Sequence, residues 1–252
     1  MELKVIAYAR NGHTDKFGIP RQSRDESPIL TRIVFEPEYS VAEALRGIEG
    51  YSHLWLIWGA SEVDSWSPTV RPPRLGGNKR MGVFATRSPF RPNPIGLSSV
   101  RNLTPSLSSR EGVYIGESGR IELIVSGADV LDGTPIYDIK PYLSFSDSHE
   151  DAKNGFADET KDYRLRVEWG VISRSWLVNG SKLAAKRLVA GSFPRREIEY
   201  ILSQDPRPGY QDDPEREYKM DYAGWRVTFK VKNAEKESSE PGVVIVTNVE
   251  KI

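Results

Sequence analysis

The sequence predicts a mainly β protein: a β-rich unit over residues 1–162, followed by a small α+β unit over residues 163–252. Two observations predict it. In the first part, apolar residues recur every second position or in short aromatic runs, and Gly and Pro break the segments between them. After about residue 163 the texture changes to two helix-like stretches and further alternating runs. A chain of 252 residues buries a core of useful size without covalent staples.

Each element has a local reason. Leu3, Val5 and Ala7 alternate with Glu2, Lys4 and Ile6 as a loose strand. The stretch after Arg10 reads as a loop because Gly12, Gly18 and Pro20 interrupt any period. Thr31–Phe35 alternates as a strand, and Ser40-Val-Ala-Glu43 is a capping box that opens a helix with Val41, Ala44, Leu45 and Ile48 on one face. His53–Trp58 is a short apolar run expected to be a buried strand, with Trp55 and Trp58 in the core and His53 structural. Met81–Thr86, Gly96–Leu103 and Arg120–Val125 are further strands, Gly133-Thr-Pro is a turn, and Lys153–Lys161 is a polar loop.

In the second part, Arg164–Ser173 is a strand and Ser181 caps a helix over Lys182–Ala190. Ser192 and Pro194 open another helix, through Leu202. Asp205–Pro214 is turn-rich, and the strands Trp225–Val231 and Val243–Val249 are joined by a charged loop.

Composition removes several chemistries. Without cysteine there is no disulfide, thiolate nucleophile or Cys-ligated metal, and His13, His53 and His149 are too scattered for a zinc pair, so no metal is expected. No apolar run approaches the roughly 18 residues of a membrane span, and MELKVIAYAR lacks a signal-like apolar core. The expected setting is the cytoplasm, away from membranes.

The net charge of zero hides a pattern. Residues 1–64 sum to −3, residues 65–110 to +8, residues 111–162 to −8 and residues 163–252 to +3. The second block has eight basic groups and no carboxylate over 46 residues. It also holds seven of the 17 prolines, which bar regular helix. Arg71, Arg74, Lys79, Arg80, Arg87 and Arg91 therefore sit on stiff, irregular backbone suited to phosphate or carboxylate recognition. Their counter-charge is either the acidic block or a ligand. That block includes Asp129, Asp132 and Asp138, which form turns, pair with arginines, bind hydroxyls or accept a proton.

Two nucleotide motifs fail. Gly77-Asn-Lys-Arg-Met-Gly82 has P-loop glycine spacing but is followed by Val83-Phe84 where Lys and Ser/Thr are required. No G-x-G-x-x-G follows a strand, so a Rossmann dinucleotide site, or a methyltransferase of that class, is not expected.

Four segments resemble the TsaA-like, or TrmO, family: Asp15–Gln22 (DKFGIPRQ), Ser52–Trp58 (SHLWLIW), Val70–Ser98 (VRPPRLGGNKRMGVFATRSPFRPNPIGLS) and Gly127–Tyr142 (GADVLDGTPIYDIKPY). Asp205–Gly224 resembles the C-terminal domain of longer bacterial members. The resemblance runs through nearly the whole chain, in order.

It implies an N-terminal β-barrel outside the Rossmann class and a homodimer with the cofactor near the subunit interface. The implied activity is S-adenosylmethionine-dependent methylation of N6 of N6-threonylcarbamoyladenosine at position 37 of tRNA, 3′ of the anticodon. The cofactor-contacting positions it implies are Pro20, Arg21, Gln22, Arg87 and Leu97, with the turn Asp129, Val130, Leu131, Asp132, Gly133 and Thr134. Ala60-Ser61-Glu62 stands where members often carry a His.

On this reading Leu97 walls the adenine and Arg87 or Arg21 meets the cofactor carboxylate. The N6 nitrogen, deactivated by its carbamoyl group, is helped by early loss of its proton, for which Asp138, Lys140 and Tyr142 are the candidates. Arg71, Arg74, Lys79, Arg80 and Arg91 face the phosphates of the tRNA anticodon loop. The alternatives are a non-catalytic module that binds S-adenosylmethionine or RNA, and a small-molecule enzyme using the arginine loops.

Overall fold

The structure is a computed structural model that describes residues 2–72, 79–104, 114–116, 118–158, 161, 163–170, 193–207, 211, 213–234 and 241–252. The chain divides into two units. One comprises Met1–Asn11 with Arg21–Lys161, the other Gly12–Pro20 with Asp162–Ile252.

The first unit is built on strands that alternate inward apolar and outward polar residues. They are β1 (Ala7–Arg10), β2 (Leu30–Phe35), β3 (His53–Gly59), β4 (Thr69–Val70), β5 (Met81–Gly82), β6 (Ile95–Asn102), β7 (Tyr114–Ile115), β8 (Ile121–Ser126) and β9 (Pro135–Pro141). The main sheet runs β2-β1-β9-β3-β6-β8-β7, and β2 also pairs with β8. Every pairing is antiparallel. The ladder from β2 through β1, β9, β3, β6 and β8 therefore returns to β2 and closes on itself, which satisfies edge groups that an open sheet leaves bare. Its interior is the core: Ala7, Ile33, Leu54, Leu56, Val100, Leu123, Val125 and Ile136 are buried together.

The second unit is a four-stranded sheet in the order β10 (Arg166–Trp169), β13 (Val243–Lys251), β12 (Trp225–Lys232), β11 (Tyr218–Tyr222). Only the β10–β13 pair is parallel. The helix Arg195–Ser203 buries Ile198, Ile201 and Leu202.

Gly12–Pro20, read from sequence as a loop of the first unit, packs into the second. Ala223 N–H donates to Gly12 O at 2.9 Å, the His13 ring meets Tyr222 edge-on, and Phe17 stacks on Phe229. Gly18 has φ +96° and would place a Cβ 2.5 Å from Met220 Sδ, so only glycine fits there.

The predicted strands at residues 31–35, 53–58, 96–103, 120–125, 225–231 and 243–249 are present within a residue or two. Other expectations were overtaken by tertiary contacts. The capping box does not form a cap: Ser40 Oγ accepts from Ile121 N–H at 2.8 Å, Glu43 pairs with Arg46, and the segment is two 3₁₀ turns, Ala42–Leu45 and Ile48–Gly50.

The strand expected over Met81–Thr86 stops at Gly82, and Val83–Ala85 is a 3₁₀ turn. The helix Arg195–Ser203 is preceded by Pro194 at its N-cap. Ser192 and the helix expected over residues 182–190 lie outside the described residues. β11 was not anticipated from sequence.

Burial lowers the His13 pKa from 6.5 to about 4. The unfolded chain therefore takes up a proton that the fold refuses, and stability present above pH 6.5 is lost progressively as the pH falls toward 4. Urea midpoints of His13→Phe should fall less between pH 7 and pH 4 than those of the parent; an unchanged slope would contradict this placement.

Candidate cofactor and RNA site

β6 carries the site on both its faces. Leu97 points outward and is 54% exposed, whereas the next residue, Ser98, is fully buried. Inward, Trp58 Nε1–H donates to Ser98 Oγ at 2.8 Å, and the Ser98 hydroxyl donates to Asp129 Oδ1. A Cβ on Gly96 would lie 2.1 Å from the Trp58 ring, so glycine is what lets the indole reach Ser98.

Asp129 follows β8 and the turn at Gly127. Burial pushes its carboxyl pKa up, against the downward pull of the Ser98 hydrogen bond, its own and the Ser23 backbone N–H, and the charge of Arg87. Arg87 is exposed and donates to Gln22 Oε1 at 2.6 Å. Three segments distant in sequence thus meet at Gln22, Arg87 and Asp129.

The turn after Asp129 is tied to β1. The Asp132 carboxylate accepts from Asn11 N–H at 3.0 Å and from Arg10 at 3.4 Å, so it serves the turn. Gly133, at φ +81°, donates its N–H to Ala9 O at 2.8 Å. Val130 and Thr134 are buried, whereas Leu131 remains partly exposed. Arg21 is partly buried, and Pro20 is buried and belongs to the second unit.

The outer face holds the other candidates. Strand register sets Asp138 opposite Ile57 and Ile57 opposite Leu97, so Asp138 and Leu97 share a face two strands apart, about 10 Å by sheet spacing. Lys140 stands opposite Trp55 and forms a 2.8 Å ion pair with Asp138. Asp138 Oδ1 also accepts from Ile139 N–H at 2.9 Å.

Tyr142 sits with Trp55 and His53, at ring centroid distances of 5.5 and 6.1 Å. His53 bonds Asp25 and Ser52, and Asp25 also receives Arg101 at 2.8 and 2.5 Å. Those bonds, Arg101 first and His53 second, hold the Asp25 carboxyl far below its usual range.

Trp55 and Trp58 are partly buried rather than fully enclosed, and each donates its indole N–H: Trp55 to Asp147 and Trp58 to Ser98.

The basic block divides. Arg71, Lys79 and Arg80 are exposed, and among the described residues none has a carboxylate partner; Arg80 reaches only Thr69 Oγ1, at 3.1 Å. Arg74 lies outside the described residues. Arg91, grouped from sequence with the phosphate-facing cations, also has a structural task. It is partly buried, and its Nη1 donates to Val83 O at 3.0 Å and Thr86 O at 2.8 Å, fixing the loop.

Ser98 and Gly96 were not singled out from sequence, and Trp58 was read as core packing; Gly96, a glycine inside a strand pattern, was the available signal. One open depression, lined by residues 2–5 and 36–39, contains none of the candidates. Among the described residues no group of His, Asp and Glu is arranged to hold a metal, and no helix is long and apolar enough to cross a membrane.

The donor set fits a zwitterionic nucleoside cofactor. Exposed Leu97 offers an apolar wall, Arg87 a carboxylate partner, and Asp129 an acceptor for hydroxyl or ammonium protons. These residues make a candidate cofactor site on a closed β-ladder.

Known proteins agree. Residues 8–148 match the family model of the tRNA-methyltransferase O N-terminal domain, and residues 173–252 that of the TrmO C-terminal domain. The chain belongs to the tRNA-methyltransferase O family. It is 36% identical to the tRNA (adenine(37)-N6)-methyltransferase of Escherichia coli over 92% of each chain. It is 42% identical to a putative S-adenosylmethionine-dependent methyltransferase, RcsF, of Pseudomonas aeruginosa over 86% of each. A crystal structure of TrmO from Pseudomonas aeruginosa superposes with a TM-score of 0.69 at 30% identity, covering 99% of this chain and 98% of that one.

Because the fold raises the Asp129 pKa above the ordinary 3.8, ionising it costs stability as the pH rises through that window. Asp129→Asn should therefore unfold at higher urea than the parent at pH 7, with the gap closing as the pH falls toward 3.8. An Asn variant less stable at pH 7 would contradict the assignment.

Proposed function

We propose that this chain is an S-adenosylmethionine-dependent tRNA methyltransferase acting on N6 of N6-threonylcarbamoyladenosine at position 37, 3′ of the anticodon. The observation that carries the reading is the meeting of Gln22, Arg87 and Asp129, on a chain whose two parts both match the family.

When bound, S-adenosylmethionine supplies a methyl group made electrophilic by its sulfonium. The protein's part is largely positioning, since displacement in line depends on how donor and acceptor are aligned. Leu97 walls the adenine, and Arg87, set by Gln22, takes the carboxylate. Asp129, steadied by Ser98, accepts from the cofactor's polar hydrogens. The turn Val130–Thr134 and Arg21 line the same site.

On the outer face Asp138 accepts the N6 proton of the substrate adenine, oriented by Lys140 and by the Ile139 N–H. Tyr142, braced by Trp55, closes that side. Arg71, Arg74, Lys79 and Arg80 contact the anticodon-loop phosphates. The protein works in the cytoplasm as a homodimer with the cofactor near the subunit interface; the outward exposure of Leu97 and Ile95 supports a partner there.

Incubating the purified protein with S-adenosylmethionine and tRNA carrying threonylcarbamoyladenosine, then digesting to nucleosides, tests this by mass spectrometry. One added methyl on the modified adenosine is expected. Cofactor binding without transfer to any tRNA would contradict it and point to a non-catalytic module. Asp138→Asn should lower kcat about 10²- to 10⁴-fold, the range of general-base contributions, with the cofactor Kd unchanged.

A further inference from the structure

We infer that Phe84, Phe90 and Trp66 form a stacking platform for unpaired RNA bases, with Arg71, Lys79 and Arg80 taking the adjoining phosphates. The inference rests on the tRNA reading and adds to it a defined surface and the kind of RNA that surface takes.

These three rings are the large aromatics that the basic block and its N-terminal margin leave open: Phe84 is 74% exposed, Trp66 55% and Phe90 46%. Backbone hydrogen bonds draw them into one surface substructure. Ser67 N–H donates to Phe90 O at 3.2 Å, and Val83 N–H to Pro68 O at 3.0 Å. Beyond the second of these bonds, β4 pairs with β5, Thr69 opposite Gly82. The cations stand on the same two arms, with Arg71 following β4 and Lys79 and Arg80 preceding β5.

The Phe84 ring is also braced. Arg91 sits against the Phe84 ring, 5.5 Å from its centroid, while its Nη1 is fixed by Val83 O and Thr86 O. A ring held this way loses little freedom on binding.

Charge chooses the occupant. Residues 65–110 carry no carboxylate, and among the described residues Arg71, Lys79 and Arg80 have no acidic partner. A second copy docked here about a two-fold axis would set these cations against their own images, an unfavourable contact. A polyanion that also offers flat apolar faces suits both features, and single-stranded RNA exposes such faces where a duplex keeps them stacked.

Fluorescence anisotropy on the full chain, with a short single-stranded RNA and a blunt RNA duplex as probes, tests the inference. The parent should bind the single strand more tightly. Phe84→Ala should weaken single-strand binding about 5- to 30-fold while leaving S-adenosylmethionine affinity unchanged, which also reports an intact fold. Phe84→Trp should restore binding and Phe84→Leu should not, separating stacking from mere apolar contact. Replacing Arg71 and Arg80 by Ala should lower the salt dependence of log K by about 0.7 per lost phosphate contact.

Phe84→Ala binding within about twofold of the parent would overturn the platform, as would equal binding by the Leu and Trp variants. Conversion of a dimer to a monomer by Phe84→Ala in size-exclusion chromatography would assign the surface to a second copy and overturn it too. A parent that methylates tRNA while Phe84→Ala binds normally sinks the platform alone; a parent that methylates no tRNA sinks the underlying reading.

Discussion

A carboxyl group carried into the edge of a closed β-ladder is the constraint on which the site depends. Asp129 loses solvent there, and the fold compensates with the Ser98 hydroxyl, two backbone N–H groups and the nearby Arg87 charge. Each compensation commits another residue. Ser98 must face inward from β6, which turns Leu97 outward by strand alternation. Trp58 must reach Ser98, which leaves no room for a side chain at residue 96. Arg87 must approach from the loop before β6, where Gln22 orients it. One partly buried acid thus fixes a glycine, a serine, an indole and an arginine from three stretches of chain.

The zero net charge takes on a different meaning against these contacts. The +8 and −8 blocks suggested arginines set against aspartates with a ligand between. Among the described residues that picture holds at one place, where the charge of Arg87 acts on Asp129. Elsewhere the blocks answer to other partners. Arg101 pairs with Asp25, Arg91 grips carbonyls, Asp132 holds Arg10, and Glu122 meets Arg32. The cations left over, Arg71, Lys79 and Arg80, lie on the surface, where a polyanion is their natural counter-charge.

Much of the ladder was legible because strand periodicity is local. His53–Gly59 and Ile95–Asn102 declared themselves through alternation and flanking turns. What sequence did not disclose depended on partners far along the chain. Ser40 reads as a helix cap until Ile121 takes its oxygen. Arg91 reads as one more phosphate-facing cation, and only the structure shows the Val83 and Thr86 carbonyls that it also holds. His13 sits in a glycine-punctuated loop, yet its burial against Tyr222 is a property of a sheet more than two hundred positions away. For the site, motif resemblance named the turn after Asp129 but could not show that Asp132 is spent on holding that turn to β1.

The central claim is that Leu97, Arg87 and Asp129 together receive the cofactor. A crystal structure with S-adenosylhomocysteine bound tests it most directly. The ligand should lie with its adenine against Leu97 and its carboxylate at Arg87, and the Asp129–Ser98–Trp58 chain should be intact. A ligand resting instead in the depression lined by residues 2–5 and 36–39, with Arg87 and Leu97 untouched, would contradict it.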